Sequence, residues 1–195
     1  MKKLDAILRI AATVSLAAGA TLLNGCIPLA ITGVAATAQI ATDRRTTGAQ
    51  LDDELIEDKA IATIADRLKS DMHVNVTSYN GIALLTGEVA TETSKNEVAQ
   101  IVRSMPKVRT VQNELVVGPT SSLSARTNDT LITSKVKARF VEANKFQINH
   151  VKVVTERGVV YLMGIVRRDE GDAAAQTART TSGVERVVKV FEYIS

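Results

Sequence analysis

Val74-Asn75-Val76-Thr77-Ser78-Tyr79-Asn80-Gly81 and Val151-Lys152-Val153-Val154-Thr155-Glu156-Arg157-Gly158 are two versions of one segment, set 77 residues apart. Each reads as a β-strand running into a turn, where Gly accepts a left-handed backbone at little cost. The likeness continues on the far side of the turn. Leu84-Leu85-Thr86-Gly87-Glu88-Val89 aligns with the run from Leu162 to Val166, and Gly87 falls on Gly164. Upstream, Asp53, Leu55, Ile56 and Lys59 align with Asp129, Leu131, Ile132 and Lys135 at an offset of 76. Downstream, Val108-Arg109-Thr110-Val111 aligns with Val184-Glu185-Arg186-Val187 at the same offset. Two copies of one fold with one-residue differences at their loops produce this pattern.

Each copy predicts the same element order. A first helix spans about 53–69 and 129–143, with Ile56, Ala60, Ile64 and Leu68, or Ile132, Val136 and Phe140, on its core face. Asp52 or Asp53 and Asn128 or Asp129 read as N-caps. Two strands follow, 72–79 with 82–90 and 150–156 with 159–166, joined at Gly81 and Gly158. A second helix spans about 92–104 and 169–181, and a last strand 108–117 and 184–194. A strand–helix–strand crossover favours parallel, right-handed pairing. The fold class expected is α+β: tandem modules, each helix-strand-strand-helix-strand, with a three-stranded mixed sheet packed on two helices. Each module is so small that its own core is marginal, and packing of one on the other is expected to supply the remainder. The modules are placed at 51–118 and 125–195, with residues 119–124 (Pro119-Thr120-Ser121-Ser122-Leu123-Ser124) as the linker.

The N-terminus predicts export. Lys2, Lys3 and Arg9 form a basic region, and the apolar stretch from Ile10 to Leu23 is too short for a comfortable membrane span. It ends in Leu23-Asn24-Gly25-Cys26, which resembles the bacterial lipobox. Residues 1–25 are therefore read as a signal peptide. Cys26 is read as the lipidation site, carrying a covalent diacylglycerol and an N-acyl chain, with no other cofactor. Cys26 is the single cysteine, so no disulfide framework exists. Ile27 follows it, and lipoproteins without Asp at that place are sorted to the outer membrane. Residues 26–50 read as a lipidated Cys and membrane-proximal tether.

Charge is distributed unevenly. The total is +3, but residues 52–118 hold 7 basic against 11 acidic side chains, and residues 119–195 hold 12 against 8. One module is acidic and the other basic. No Gly-rich phosphate loop, Cys/His pair or Ser-His-Asp set appears, so no catalytic residue is assigned and the chain is expected not to be an enzyme. His73 and His150 are repeat equivalents, one per module. No clustered carboxylate joins either in the sequence, so no metal site is expected. Arg44-Arg45 and Arg167-Arg168 have no accompanying aromatic residues for stacking, so no nucleic-acid partner is expected.

The helix–hairpin–helix–strand order, with structural glycines at Gly81, Gly87, Gly158 and Gly164, resembles the BON domain. So does the Gly-Val-Glu-Arg-Val-Val run at 183–188. The lipobox, the run at 41–53 and Asn128-Asp129-Thr130-Leu131-Ile132-Thr133-Ser134-Lys135-Val136 together resemble the dual BON-domain outer-membrane lipoprotein family. That resemblance implies a lipid-anchored protein facing the periplasm that supports outer-membrane integrity. It implies that the second module binds anionic phospholipid through its first helix. Relatives often carry Trp at the position of Leu131, where a ring at headgroup level acts as an anchor. The outward face of 129–143 independently suits this: Leu131, Ser134, Lys135, Ala138 and Val141 point away from the core, with Lys137 at the flank. The other reading is a lipid-tethered scaffold that docks envelope-protein partners of the outer-membrane assembly or cell-wall remodelling machinery. Oligomeric state is left open.

Overall fold

The computed structural model describes residues 43–68 and 72–195. The signal peptide, Cys26 and the tether as far as residue 42 lie outside the described residues. The first module runs α1 (Thr47–Arg67), β1 (His73–Tyr79), β2 (Ile82–Val89), α2 (Glu92–Arg103), β3 (Thr110–Asn113) and β4 (Val116–Val117). The second runs α3 (Leu123–Ala143), a 3-10 turn (Ile148–His150), β5 (Lys152–Glu156), β6 (Val159–Arg167), α4 (Arg168–Arg179) and β7 (Arg186–Ile194). In each, the hairpin is antiparallel and the strand after the second helix returns parallel to the central strand. The expected α+β tandem architecture is what the chain adopts.

Strand alternation sorts the side chains. Ala83, Leu85 and Val89 of β2 pack under α1 and α2 with Ala60, Ile64, Val98 and Val102. Val160, Leu162 and Val166 of β6 pack under α3 and α4 with Ile132, Val136, Phe140 and Ala174. The intervening residues face the other way, and a third cluster of Tyr79, Leu84, Tyr161, Met163 and Ile165 joins the two sheets. The layers are thus helices, sheet, sheet, helices. Full burial of a large apolar side chain contributes roughly 1.5–3 kcal/mol, so this third cluster gives two marginal modules a shared core.

The hairpin turns are Asn80-Gly81 and Arg157-Gly158, with φ of 52° and 74° in the first and 52° and 73° in the second. Two successive left-handed residues make the turn whose twist matches the flanking strands. Gly87 and Gly164, expected with the turn glycines, lie inside β2 and β6. At Gly87 a Cβ would meet the His73 carbonyl oxygen at 1.9 Å, and at Gly164 the His150 carbonyl oxygen at 2.1 Å, so they serve close backbone approach.

Three expectations are corrected. Both first helices start about six residues early, capped by Thr46 and Ser122, whose hydroxyls accept from Ala49 N and Ala125 N. The tether and linker thus run directly into α1 and α3. Asp53 and Asp129 are consequently not caps but buried, inward-facing residues of the second turn. Finally, the third strand of the first module breaks between β3 and β4, where Leu115 turns into the core, so that sheet counts four strands. The corresponding β7 is continuous.

Candidate functional site

Asp53 and Asp129 reach from the first helix of each module to its hairpin turn. The Asp129 carboxylate accepts from Arg157 N at 2.8 Å and Gly158 N at 2.9 Å. Asp53 accepts from Asn80 N at 2.7 Å, Gly81 N at 2.9 Å, Ser78 Oγ at 2.6 Å and Arg45 Nη1 at 2.8 Å. These bonds satisfy the turn's free N–H groups and fix helix to hairpin.

The segments preceding α1 and α3 cross to the opposite module. Arg44 lies two residues before the Thr46 cap and Ser121 one residue before the Ser122 cap. Arg44 Nη1 donates to the Ile165 carbonyl at 2.9 Å, and the guanidinium binds both Glu170 oxygens at 2.6 and 2.9 Å. Those bonds, reinforced by Arg167 N at 2.8 Å, hold the Glu170 carboxyl down at about 2. The neighbouring Arg45 lies 4.0 Å over the Tyr79 ring and pairs with Asp43 and Asp53. Burial, then the Asp43 charge, pushes the Tyr79 hydroxyl up to about 12. At the other crossing, Ser121 donates to Glu88 from N at 3.1 Å and also from Oγ.

Glu88 is part of a group that spans both modules. His73 Nδ1 lies 3.3 Å from Glu88 Oε2 and 3.9 Å from Glu156 Oε1. Asn75 Nδ2 donates to Glu156 Oε2 at 2.9 Å, and Arg157 Nη1 to Glu88 Oε1 at 3.4 Å. Burial alone would raise Glu88, but the bonds from Ser121 and His73 hold it below its ordinary range. Glu156 is pushed up by burial, against the bond from Asn75, with the Glu88 and Asp129 charges adding to the rise. The expectation that no carboxylates gather at a histidine is therefore corrected for His73. Among the described residues, His73, Glu88 and Glu156 could hold a cation. Half of the group was legible: a two-residue turn at 80–81 pairs His73 with Glu88 across the hairpin. Glu156 arrives only through module docking.

All six residues singled out on α3 are exposed: Leu131, Ser134, Lys135, Lys137, Ala138 and Val141. Leu131 is 54% and Val141 64% exposed, on the side opposite Ile132, Val136 and Phe140. The Ser134 hydroxyl is spent on the Thr130 carbonyl at 3.0 Å. The equivalent face of α1 is equally apolar, with Leu51 at 56% and Leu55 at 52%, but beside Lys59, the counterpart of Lys135, it carries Glu54 and Asp58, and Ile61 stands where α3 has Lys137. No helix among the described residues is long and apolar enough to cross a membrane.

The BON domain family model matches residues 52–119 and again 128–195. The chain is 38% identical over 179 residues to the outer membrane lipoprotein DolP of Haemophilus influenzae, covering 90% of this chain and 93% of that protein. It is 31% identical to a 21 kDa hemolysin of Actinobacillus pleuropneumoniae, covering 78% and 79%. It is 29% identical to osmotically-inducible protein Y of Escherichia coli K12, covering 70% of each chain.

Proposed function

The chain belongs to the BON-domain family and, within it, to the lipid-anchored outer-membrane lipoproteins facing the periplasm, and on that premise we propose that it binds anionic phospholipid through α3 and supports envelope integrity without catalysis. Cys26, carrying diacylglycerol and an N-acyl chain, is the anchor in this reading. A second contact through α3 then lays the basic module on the headgroups.

One observation carries the assignment to α3. Leu131 and Val141 stand in the open beside Lys135 and Lys137, whereas the matching apolar face of α1 has the single lysine Lys59 among the carboxylates of Glu54 and Asp58. Shallow apolar insertion is available to both helices, so charge decides between them. Each Lys or Arg near an anionic surface contributes about 1 kcal/mol, and each carboxylate there opposes binding. Co-sedimentation of residues 27–195, which lack the acyl chains, with phosphatidylglycerol and phosphatidylcholine vesicles tests the reading. Preference for the anionic vesicles, lost when Lys135 and Lys137 become Glu, is expected; equal binding to both vesicle types refutes it.

The scaffold reading draws on α1. Leu55 and Ile56, with Met105 and Pro106, line a cleft of about 190 Å³ edged by Asp52, Lys59 and Lys107. A protein partner fits this acidic module better than a membrane does. The two readings assign different modules and are compatible in one molecule.

A further inference from the structure

We propose that His73, Glu88 and Glu156 bind one divalent transition-metal cation, with zinc(II) fitting the donor set best, and that the ion clamps the first module to the second. Their ligand atoms all lie within 4.8 Å of one another. Ligands about 2.1 Å from a tetrahedral zinc stand roughly 3.4 Å apart, and the His73 Nδ1 distances of 3.3 and 3.9 Å to the two carboxylates bracket that spacing. One imidazole with two carboxylates suits zinc and its neighbours. Calcium and magnesium require six or more oxygens.

The surroundings supply what a metal centre needs. Glu88 is fully buried and Glu156 only 6% exposed, while the His73 ring keeps enough exposure for an ion to reach it. Ser121 Oγ and Arg157 bond Glu88 Oε1, while Oε2 accepts from Ser121 N and faces His73. Asn75 Nδ2 holds Glu156 Oε2, which leaves Oε1 facing the same point. Outer partners of this kind orient ligands toward a metal. The local charge is also unbalanced. Two buried carboxylates face one guanidinium, that of Arg157, whose side chain is 46% exposed.

The repeat furnishes an internal control. At an offset of 77, His150 replaces His73, Ile165 replaces Glu88 and Tyr79 replaces Glu156. That end of the junction closes with Tyr79 and Ile165 in the shared apolar cluster. Module docking as such therefore needs no carboxylate pair. Burying two carboxylates side by side opposes folding unless something pairs them, and a dication at their meeting point does so.

The test uses the protein isolated from membranes in detergent and stripped with a chelator. Zinc is titrated by calorimetry, and ring-nitrogen NMR follows the two histidines, the only ones in the chain. One equivalent should bind, shifting His73 and leaving His150 in place, with a rise in thermal midpoint. His73→Asn and Glu156→Gln should each weaken binding at least tenfold. The NMR arm needs only the native sequence, so it stands if a variant fails to fold. The proposal is overturned if neither ring shifts, if both shift alike, or if folded variants bind as the parent does.

Discussion

Asp53 and Asp129 occupy the same place in two copies of one fold, yet they are tied in differently. Asp129 serves its own hairpin through two backbone N–H groups. Asp53 does this and also takes Ser78 Oγ and the Arg45 guanidinium, so it anchors the chain arriving from the N-terminal side. The junction shows the same divergence: Tyr79 and Ile165 close one end with apolar contact, and Glu156 and Glu88 make the other end polar. The outward helices diverge as well, acidic on α1 and basic on α3. The two copies share one backbone plan, and it is the side chains looking away from each module's own core that differ.

The largest effect expected from this comparison is at Asp53. Asp53→Ala orphans two turn N–H groups and a buried hydroxyl, leaves Arg45 with Asp43 alone, and should cost about 3–5 kcal/mol, because each unsatisfied buried group costs about 1–3 kcal/mol. Asp129→Ala should cost about 2 kcal/mol on the same basis. Urea denaturation of both variants checks this, and equal losses would erase the distinction between the modules.

Next comes the crossing at Arg44. Arg44→Ala removes the bidentate partner of buried Glu170 and should cost roughly 2 kcal/mol at neutral pH. The pH dependence has a definite sign. The Glu170 folded pKa, about 2, lies below its ordinary 4.5. Its stabilisation is therefore complete above about pH 5 and drains away as pH falls from 4.5 toward 2. Parent and variant should converge over that window. A stability difference that stays constant down to pH 2.5 contradicts the assigned role.

On the outward helices, Lys135→Glu with Lys137→Glu should weaken binding to phosphatidylglycerol vesicles more than tenfold while leaving the thermal midpoint nearly unchanged, since both side chains are exposed. High salt should imitate the substitution. Leu131→Trp should strengthen the same binding a few-fold by setting an aromatic ring at headgroup depth. Leu55→Trp, its equivalent on acidic α1, should not. If both strengthen binding alike, charge does not divide the modules.

The smallest effect is at the polar end of the junction. Burial raises the Glu156 pKa, so its ionised form opposes folding at neutral pH. With metal removed, Glu156→Gln should match or slightly exceed the parent in thermal midpoint, by less than about 1 kcal/mol, because Asn75 can donate to the amide oxygen. With zinc present the order should reverse. A variant less stable than the parent under both conditions would make Glu156 a plain structural ligand of Asn75.

The sequence by itself determined what depends on near neighbours. The repeat, the hairpins at Asn80-Gly81 and Arg157-Gly158, the inward stripes of the helices and the exposed face of α3 all follow from short-range periodicity. A two-residue turn fixes its own register, so even the pairing of His73 with Glu88 is implicit in the chain. The helix starts are not decided by local spacing, because an Asp before an apolar run has the form of a cap. Thr46 and Ser122 have that form too, and only burial shows that Asp53 and Asp129 face inward. The docking of the two sheets was decided in three dimensions. It brings Glu156 to His73, Arg44 to Glu170 and Tyr79 to Ile165 across separations of 83 to 126 residues, which local spacing does not encode. Those meetings depend on how two twisted faces settle to bury Leu84, Tyr161 and Met163 together, and that is a property of the packed pair.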